Sequence, residues 1–269
     1  MLKDITLGQY FPGDSIAHRL DPRAKLLLVV VFIAALFTAE NYLSYAFMLV
    51  VTGAMIAVSR IPLKSILRGL KPLFIIILLT ALLNVFFTQG TPVQIGSVTL
   101  KHVTYEGIVR AAFMVLRIMM LISGTLLLTY TTSPIALTDG LESLLSPLKK
   151  IRFQVHELAM MMSIALRFIP TLIEETDKII SAQKARGADF ETGNLIRRAK
   201  ALVPILVPLF VSAFRRADVL ATAMECRCYH GGEGRTKMKQ LHYRLRDVVT
   251  LLLGAALLGG VITLRCFKL

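Results

Sequence analysis

The chain has 269 residues, 55% of them hydrophobic, with a mean hydropathy of +0.66 and a formal charge of +14. Its apolar residues are gathered into blocks with no water-facing side, which excludes an ordinary soluble core. The three cysteines, Cys226, Cys228 and Cys266, are odd in number and two stand one residue apart, which excludes a disulfide framework.

Residues 1–25 are polar and mixed in charge, without the apolar core and small-residue cleavage site of a secretory signal. Asp21-Pro22-Arg23 closes this segment. Asp21 suits the cap of a following helix, and Pro22 suits its first turn, where a missing amide costs nothing. Five nearly charge-free stretches follow along the chain: Leu26–Ala39, Tyr42–Val58, Leu73–Thr88, Ile108–Tyr130 and Val248–Leu264. With their flanks, each approaches the ~20 residues that a helix needs to cross hydrocarbon. Thr88 to Gly107 is rich in Gly, Thr and Val and predicts a small external β-turn element. The fourth stretch carries Arg110 near its outer end and Arg117 well inside. Arg117 is expected to face the bundle and to satisfy carbonyls or Asn84.

Residues 131–247 are helical in pattern but more charged. Ser133-Pro134 opens a helix with a leucine stripe. Val155–Ile173 is apolar around Arg167, with a bend predicted at Pro170. An amphipathic stretch from Glu174 ends at Gly187. A further helix starts at Arg197–Lys200, contains Pro204 and Pro208, and runs through Arg215-Arg216 to Cys228, where His230-Gly231-Gly232 stops it. These helices are too charged to span easily and too apolar to dissolve. They are expected along the inner membrane face, with Lys149, Lys150, Arg152, Arg197, Arg198, Lys200, Arg215 and Arg216 toward anionic headgroups.

The excess of positive charge follows topology. Lys3, Arg19, Arg23 and Lys25 precede the first stretch, and Arg60, Lys64, Arg68 and Lys71 lie between the second and third. The N-terminus is therefore expected in the cytoplasm. No aromatic-basic interleaving points to nucleic acid. The resulting expectation is an all-α polytopic membrane protein with about five transmembrane helices and a cytoplasmic-face module of long amphipathic helices. Its parts are an N-terminal segment (1–25), a four-helix transmembrane region (26–130), the module (131–247) and a last transmembrane helix (248–269).

The module contains an internal repeat. DKIISAQKARGADFETG (Asp177 to Gly193) aligns with DVLATAMECRCYHGGEG (Asp218 to Gly234). Asp177 falls on Asp218, Ala182 on Ala223, Arg186 on Arg227 and Gly193 on Gly234. Each copy places an arginine between two small residues, Ala185-Arg186-Gly187 and Cys226-Arg227-Cys228, where a helical pattern runs out. A cation at a helix C-terminus gains ~0.3–1 kcal/mol from the dipole, but lysine would serve as well. A matched pair with small neighbours points instead to two equivalent acidic sockets, because the arginine fork binds carboxylate in bidentate fashion. Cys226, Cys228 and His230 supply only three close metal ligands, one short of a structural zinc site. No phosphate-binding G-x-x-x-x-G-K-[ST] loop, G-x-S-x-G or H-E-x-x-H motif occurs.

With its two small-Arg-small tips, the segment His18-Arg19-Leu20-Asp21-Pro22-Arg23-Ala24-Lys25 and the order of spans and module, the chain resembles the transmembrane T component of energy-coupling factor (ECF) transporters over essentially its whole length. The resemblance implies a non-catalytic scaffold in the bacterial or archaeal cell membrane. Ala185, Arg186, Gly187, Cys226, Arg227 and Cys228 would dock into two ABC-type ATPase subunits, identical or different. A separate substrate-binding S component would carry a vitamin or other micronutrient. The chain itself would bind no cofactor or metal, with ATP and Mg on the ATPases. Cys226 and Cys228 depart from the family's Ala-Arg-Gly. An autonomous secondary transporter and a membrane-embedded enzyme are the rival readings. The first would need midplane polar residues in an inverted repeat, and the second a nucleophile-base pair or metal cluster within the spans.

Overall fold

A computed structural model describes residues 10–89, 91–95, 98–151, 153–188, 190, 194–231 and 240–266. Of the positions singled out above, Lys3, Arg152, Gly193, Gly232 and Gly234 lie outside these residues, as do the side chains of Lys149, Arg197 and Arg198.

Nine α-helices are described: α1 (Pro22–Thr38), α2 (Tyr42–Ser59), α3 (Leu63–Leu70), α4 (Phe74–Phe87), α5 (Tyr105–Thr131), α6 (Pro134–Leu145), α7 (Val155–Ala185), α8 (Leu195–Glu225) and α9 (Leu245–Cys266). Short 3-10 turns at Lys71–Leu73 and Ser146–Ile151 follow α3 and α6. Strands β1 (Pro92–Ile95) and β2 (Val98–Thr104) pair antiparallel between α4 and α5, so the Gly- and Thr-rich loop is a hairpin.

Among the described residues, five helical runs are long and apolar enough to cross a membrane: α2, the run Leu63–Phe87 (α3 with α4), α5, α7 and α9. This differs at two places from the blocks read in sequence. α1 spans only 17 residues, about 25 Å at 1.5 Å per residue. α7 qualifies although its sequence reads as too charged, because before Glu174 it carries only Glu157 and Arg167 as fixed charges. Pro170 lies within α7 and does not end it.

The chain divides into two compact units. One comprises residues 8–141 and 241–269. In it α1 packs on α9 and α5, α2 on α5, and α4 on α5. Phe32, Ala35, Leu36, Tyr45, Met48, Met120 and Val261 form one core, and Ile61, Ile66, Leu70, Leu127 and Tyr130 a second. Small residues let these helices approach. A Cβ on Gly124 of α5 would come within 2.6 Å of the Phe32 ring, the close contact that stabilises helix pairs in lipid.

The start of α1 is tied to both ends of this unit. Asp21 caps α1, accepting from the Arg23 amide at 2.9 Å, with Pro22 in the first turn. The Asp21 amide in turn donates to Asp247 Oδ1 at 2.8 Å, and Asp247 Oδ2 accepts from the Arg244 amide at 2.8 Å. One carboxylate thus caps α9 and holds α1. Lys25 Nζ donates to Thr131 O at 2.9 Å and Thr132 Oγ1 at 3.1 Å, capturing the end of α5. Asp247 is 2% and Lys25 6% exposed, burial that charges tolerate only when their partners are complete.

The other unit holds residues 142–240. Its frame is the pair α7 and α8, each of 31 residues. Ser212 Oγ and Arg216 both donate to the Glu175 carboxylate. Gln183 Nε2 donates to Pro204 O at 3.5 Å. That carbonyl needs a donor because Pro208, four residues on, has no amide to offer it. Lower numbers on α7 pair with higher numbers on α8, so the two helices run antiparallel through this stretch.

Candidate functional site

Both repeat arginines stand at the C-termini of the two longest helices. α7 ends at Ala185. The Arg186 amide donates to Ala182 O and Gln183 O, the Gly187 amide to Lys184 O at 3.0 Å, and the Ala188 amide to Gln183 O at 3.0 Å. Gly187 has φ +85°. This is the closure in which a left-handed residue lets two outer amides turn back onto the last carbonyls. α8 closes in the same way. The Cys228 amide donates to Glu225 O at 2.8 Å, the Tyr229 amide to Met224 O at 3.0 Å, and Cys228 takes the left-handed position with φ +53°. Arg227 therefore occupies the backbone place of Arg186, Cys226 that of Ala185, and Cys228 that of Gly187.

The equivalence extends back one more turn. Ser181 Oγ donates to Asp177 O at 2.8 Å, and Thr222 Oγ1 to Asp218 O at 2.9 Å. The aligned positions are thus alike in backbone and in side-chain hydrogen bonding. They differ in strain. Gly187 adopts positive φ freely, whereas Cys228, which carries a Cβ, does so at a cost of ~1 kcal/mol.

All six tip residues, Ala185, Arg186, Gly187, Cys226, Arg227 and Cys228, are exposed. Among the described residues neither Arg186 nor Arg227 has an ion pair or a side-chain hydrogen bond. Each guanidinium keeps its full fork of donors, backed by small neighbours that allow close approach to a carboxylate. Because α7 and α8 are antiparallel, the tips face opposite ends of the pair. Gln183, one turn before the first tip, lies beside Pro204, and Arg227 is about 35 Å further along α8.

The other singled-out residues fall into place as structure. Arg117 Nη2 donates to Ala39 O at 3.0 Å, at the C-terminus of α1, and its guanidinium lies 5.6 Å from the Tyr45 ring centroid and 5.8 Å from that of Phe37. It is therefore a bundle-facing cation that completes a helix end. Asn84 is not its partner, since Asn84 donates to Thr80 O at 2.8 Å within α4. Among the described residues no group of three or more His, Cys, Asp or Glu is placed to hold a metal ion, so Cys226, Cys228 and His230 form no such set. Sequence reasoning missed the link between Asp247 and α1. The two partners lie 226 residues apart, and nothing local marks the pairing.

A polytopic helical membrane protein whose two long paired helices end in matched, exposed arginines is the class these features define. The CbiQ family profile, described as cobalt transport protein, matches residues 13–238. The energy-coupling factor transporter transmembrane protein EcfT of Clostridium kluyveri is 57% identical over 252 residues, covering 94% of this chain and 93% of the relative. EcfT of Thermosediminibacter oceani is 55% identical over 265 residues (98% and 99%), and that of Bacillus subtilis 50% over 264 (96% and 98%). The chain belongs to the EcfT family, the energy-coupling transmembrane components of ECF transporters.

Proposed function

We propose that this chain is the non-catalytic coupling scaffold of an ATP-driven importer, and that Arg186 and Arg227 are its contacts with two ABC-type ATPase subunits. Each arginine enters an acidic groove, with Ala185 and Gly187, or Cys226 and Cys228, allowing the groove walls to close around it. The ATPases bind ATP and Mg, and the chain itself binds no cofactor. When the ATPases change their separation, the tips move with them and α7 and α8 carry the displacement to the membrane helices. A separate S component bearing a vitamin or other micronutrient is thereby tilted or released. The N-terminus lies in the cytoplasm, as the basic residues before α1 and between α2 and α4 favour.

The observation that carries this reading is the matched backbone closure of the two tips, with both arginines exposed and, among the described residues, unpaired. Two copies of one geometry at opposite ends of an antiparallel pair fit a partner that itself has two equivalent sockets. The test is Arg186→Glu combined with Arg227→Glu. ATPase subunits should no longer co-purify with the membrane chain, and uptake should fall to background. Unimpaired uptake in that double variant would overturn the assignment.

A further inference from the structure

No Asp or Glu occurs between Glu40 and Glu106, yet Arg60, Lys64, Arg68 and Lys71 fall within twelve consecutive positions. The preference of basic residues for the cytoplasmic side explains their number. It does not explain their arrangement.

Lys64 and Arg68 lie on α3, and Lys71 opens the 3-10 turn that follows it. At about 100° per residue, the three occupy an arc of about 60°. Arg60 stands just ahead in a left-handed turn with φ +55°. All four are exposed, and among the described residues none has an ion pair or a side-chain hydrogen bond. The opposite face of α3 is held in place. Ile66 and Leu70 are buried with Leu127 and Tyr130, and Tyr130 Oη donates to Ser65 O at 3.2 Å. The cationic arc is therefore fixed to the bundle and does not hang from a loop.

Beside the arc stand Leu63 and Leu67, 64% and 62% exposed. Directly after it comes α4, with Phe74, Ile75, Leu78 and Leu79 exposed along its length. From Lys64 to Lys71 the chain rises about 10 Å, roughly the depth of one headgroup layer beside the hydrocarbon. A soluble acidic protein would satisfy the cations and leave Leu63 and Leu67 facing water. Lipid satisfies both, since phosphates meet the cations while acyl chains cover the leucines.

We propose that Arg60, Lys64, Arg68 and Lys71 form a binding site for anionic phospholipid headgroups at the junction of α3 and α4. The site rests on the membrane placement of this family and is independent of the arginine tips.

The chain contains no tryptophan, so Leu67→Trp gives a fluorophore that reports this position alone. The full-length variant is reconstituted in vesicles of phosphatidylcholine mixed with brominated phosphatidylglycerol or brominated phosphatidylcholine, and quenching gives the relative association of the two lipids. Phosphatidylglycerol should be preferred about tenfold, the preference should fall with added salt, and a Phe86→Trp reporter at the far end of α4 should show none. Adding Lys64→Gln, Arg68→Gln and Lys71→Gln should bring the lipid ratio at residue 67 close to one, while quenching by brominated phosphatidylcholine persists. Equal quenching by the two lipids in the Leu67→Trp chain would overturn the site and leave the arc to an acidic protein partner. A preference insensitive to salt, or unchanged in the triple-glutamine variant, would overturn it as well.

Discussion

Lys25 and Arg117 in the helical bundle, and Arg186 and Arg227 at the ends of α7 and α8, are the same kind of group under opposite rules. Lys25 is buried and Arg117 half-buried, and each donates to a helix-end carbonyl: Lys25 to Thr131 O and Arg117 through Nη2 to Ala39 O, while Arg117 Nε is left without a hydrogen-bond partner among the described residues. The tip cations are exposed, and no side-chain partner among the described residues takes up their donors. A charge inside low dielectric must be satisfied within the fold, or the fold does not hold. A charge kept in water costs little and stays available to something else. The contrast separates cations that build this protein from cations that stay available for the docking proposed above.

Substitutions can break that contrast. The largest effect on function is expected at the tips, where charge reversal of both arginines removes uptake and leaves the apparent melting midpoint in detergent unchanged. The largest effect on stability is expected at Asp247. Asp247→Ala strands the buried amide of Asp21 and removes the cap on the part-buried amide of Arg244, and should cost ~3 kcal/mol or more. Thermal unfolding of the purified chain reads it as a clear drop in midpoint. A tip variant that unfolds as easily as Asp247→Ala would erase the distinction.

Smaller effects sharpen a second contrast, between the two tips. Gly187→Ala places a Cβ at φ +85° and should weaken the first closure by ~1 kcal/mol. Cys228→Gly relieves the same strain at the second tip and should strengthen it by a similar ~1 kcal/mol. Hydrogen exchange of peptides covering residues 183–188 and 224–229 measures both, with faster exchange expected at the first and slower at the second. The smallest effect is expected from Gln183→Ala, which leaves Pro204 O without its cross-helix donor for ~0.5 kcal/mol. It appears as slightly faster exchange in α8 around Pro204, without loss of uptake.

Much of this was legible along the chain. Asp21 with Pro22, and Ser133 with Pro134, announced helix starts, and the structure places the Arg23 amide on Asp21 and the Ala136 amide on Ser133 Oγ. The arginines were read at helix ends because the periodic pattern stops there, and both helices do end there. The span list was less legible around α1 and α7. α1 reads as a span from the apolar block Leu26–Ala39, yet its helix, Pro22–Thr38, has only 17 residues and stops short of a full crossing. α7 groups with the charged helices because its charges gather after Glu174, although Val155–Ile173 reads as apolar and makes the run a candidate span.

The amino-acid order by itself determined that this chain lives in lipid, where its helices stop, and that two arginines repeat in matched surroundings. These are properties of local composition and of backbone closure within a few residues, so they need no knowledge of neighbours. Only the tertiary structure decided that Asp247 holds the amide of Asp21, that Arg117 completes α1, and that the two tips face apart along antiparallel helices. Such pairings join residues tens to hundreds of positions apart, where burial and geometry choose the partner and no local pattern records the choice.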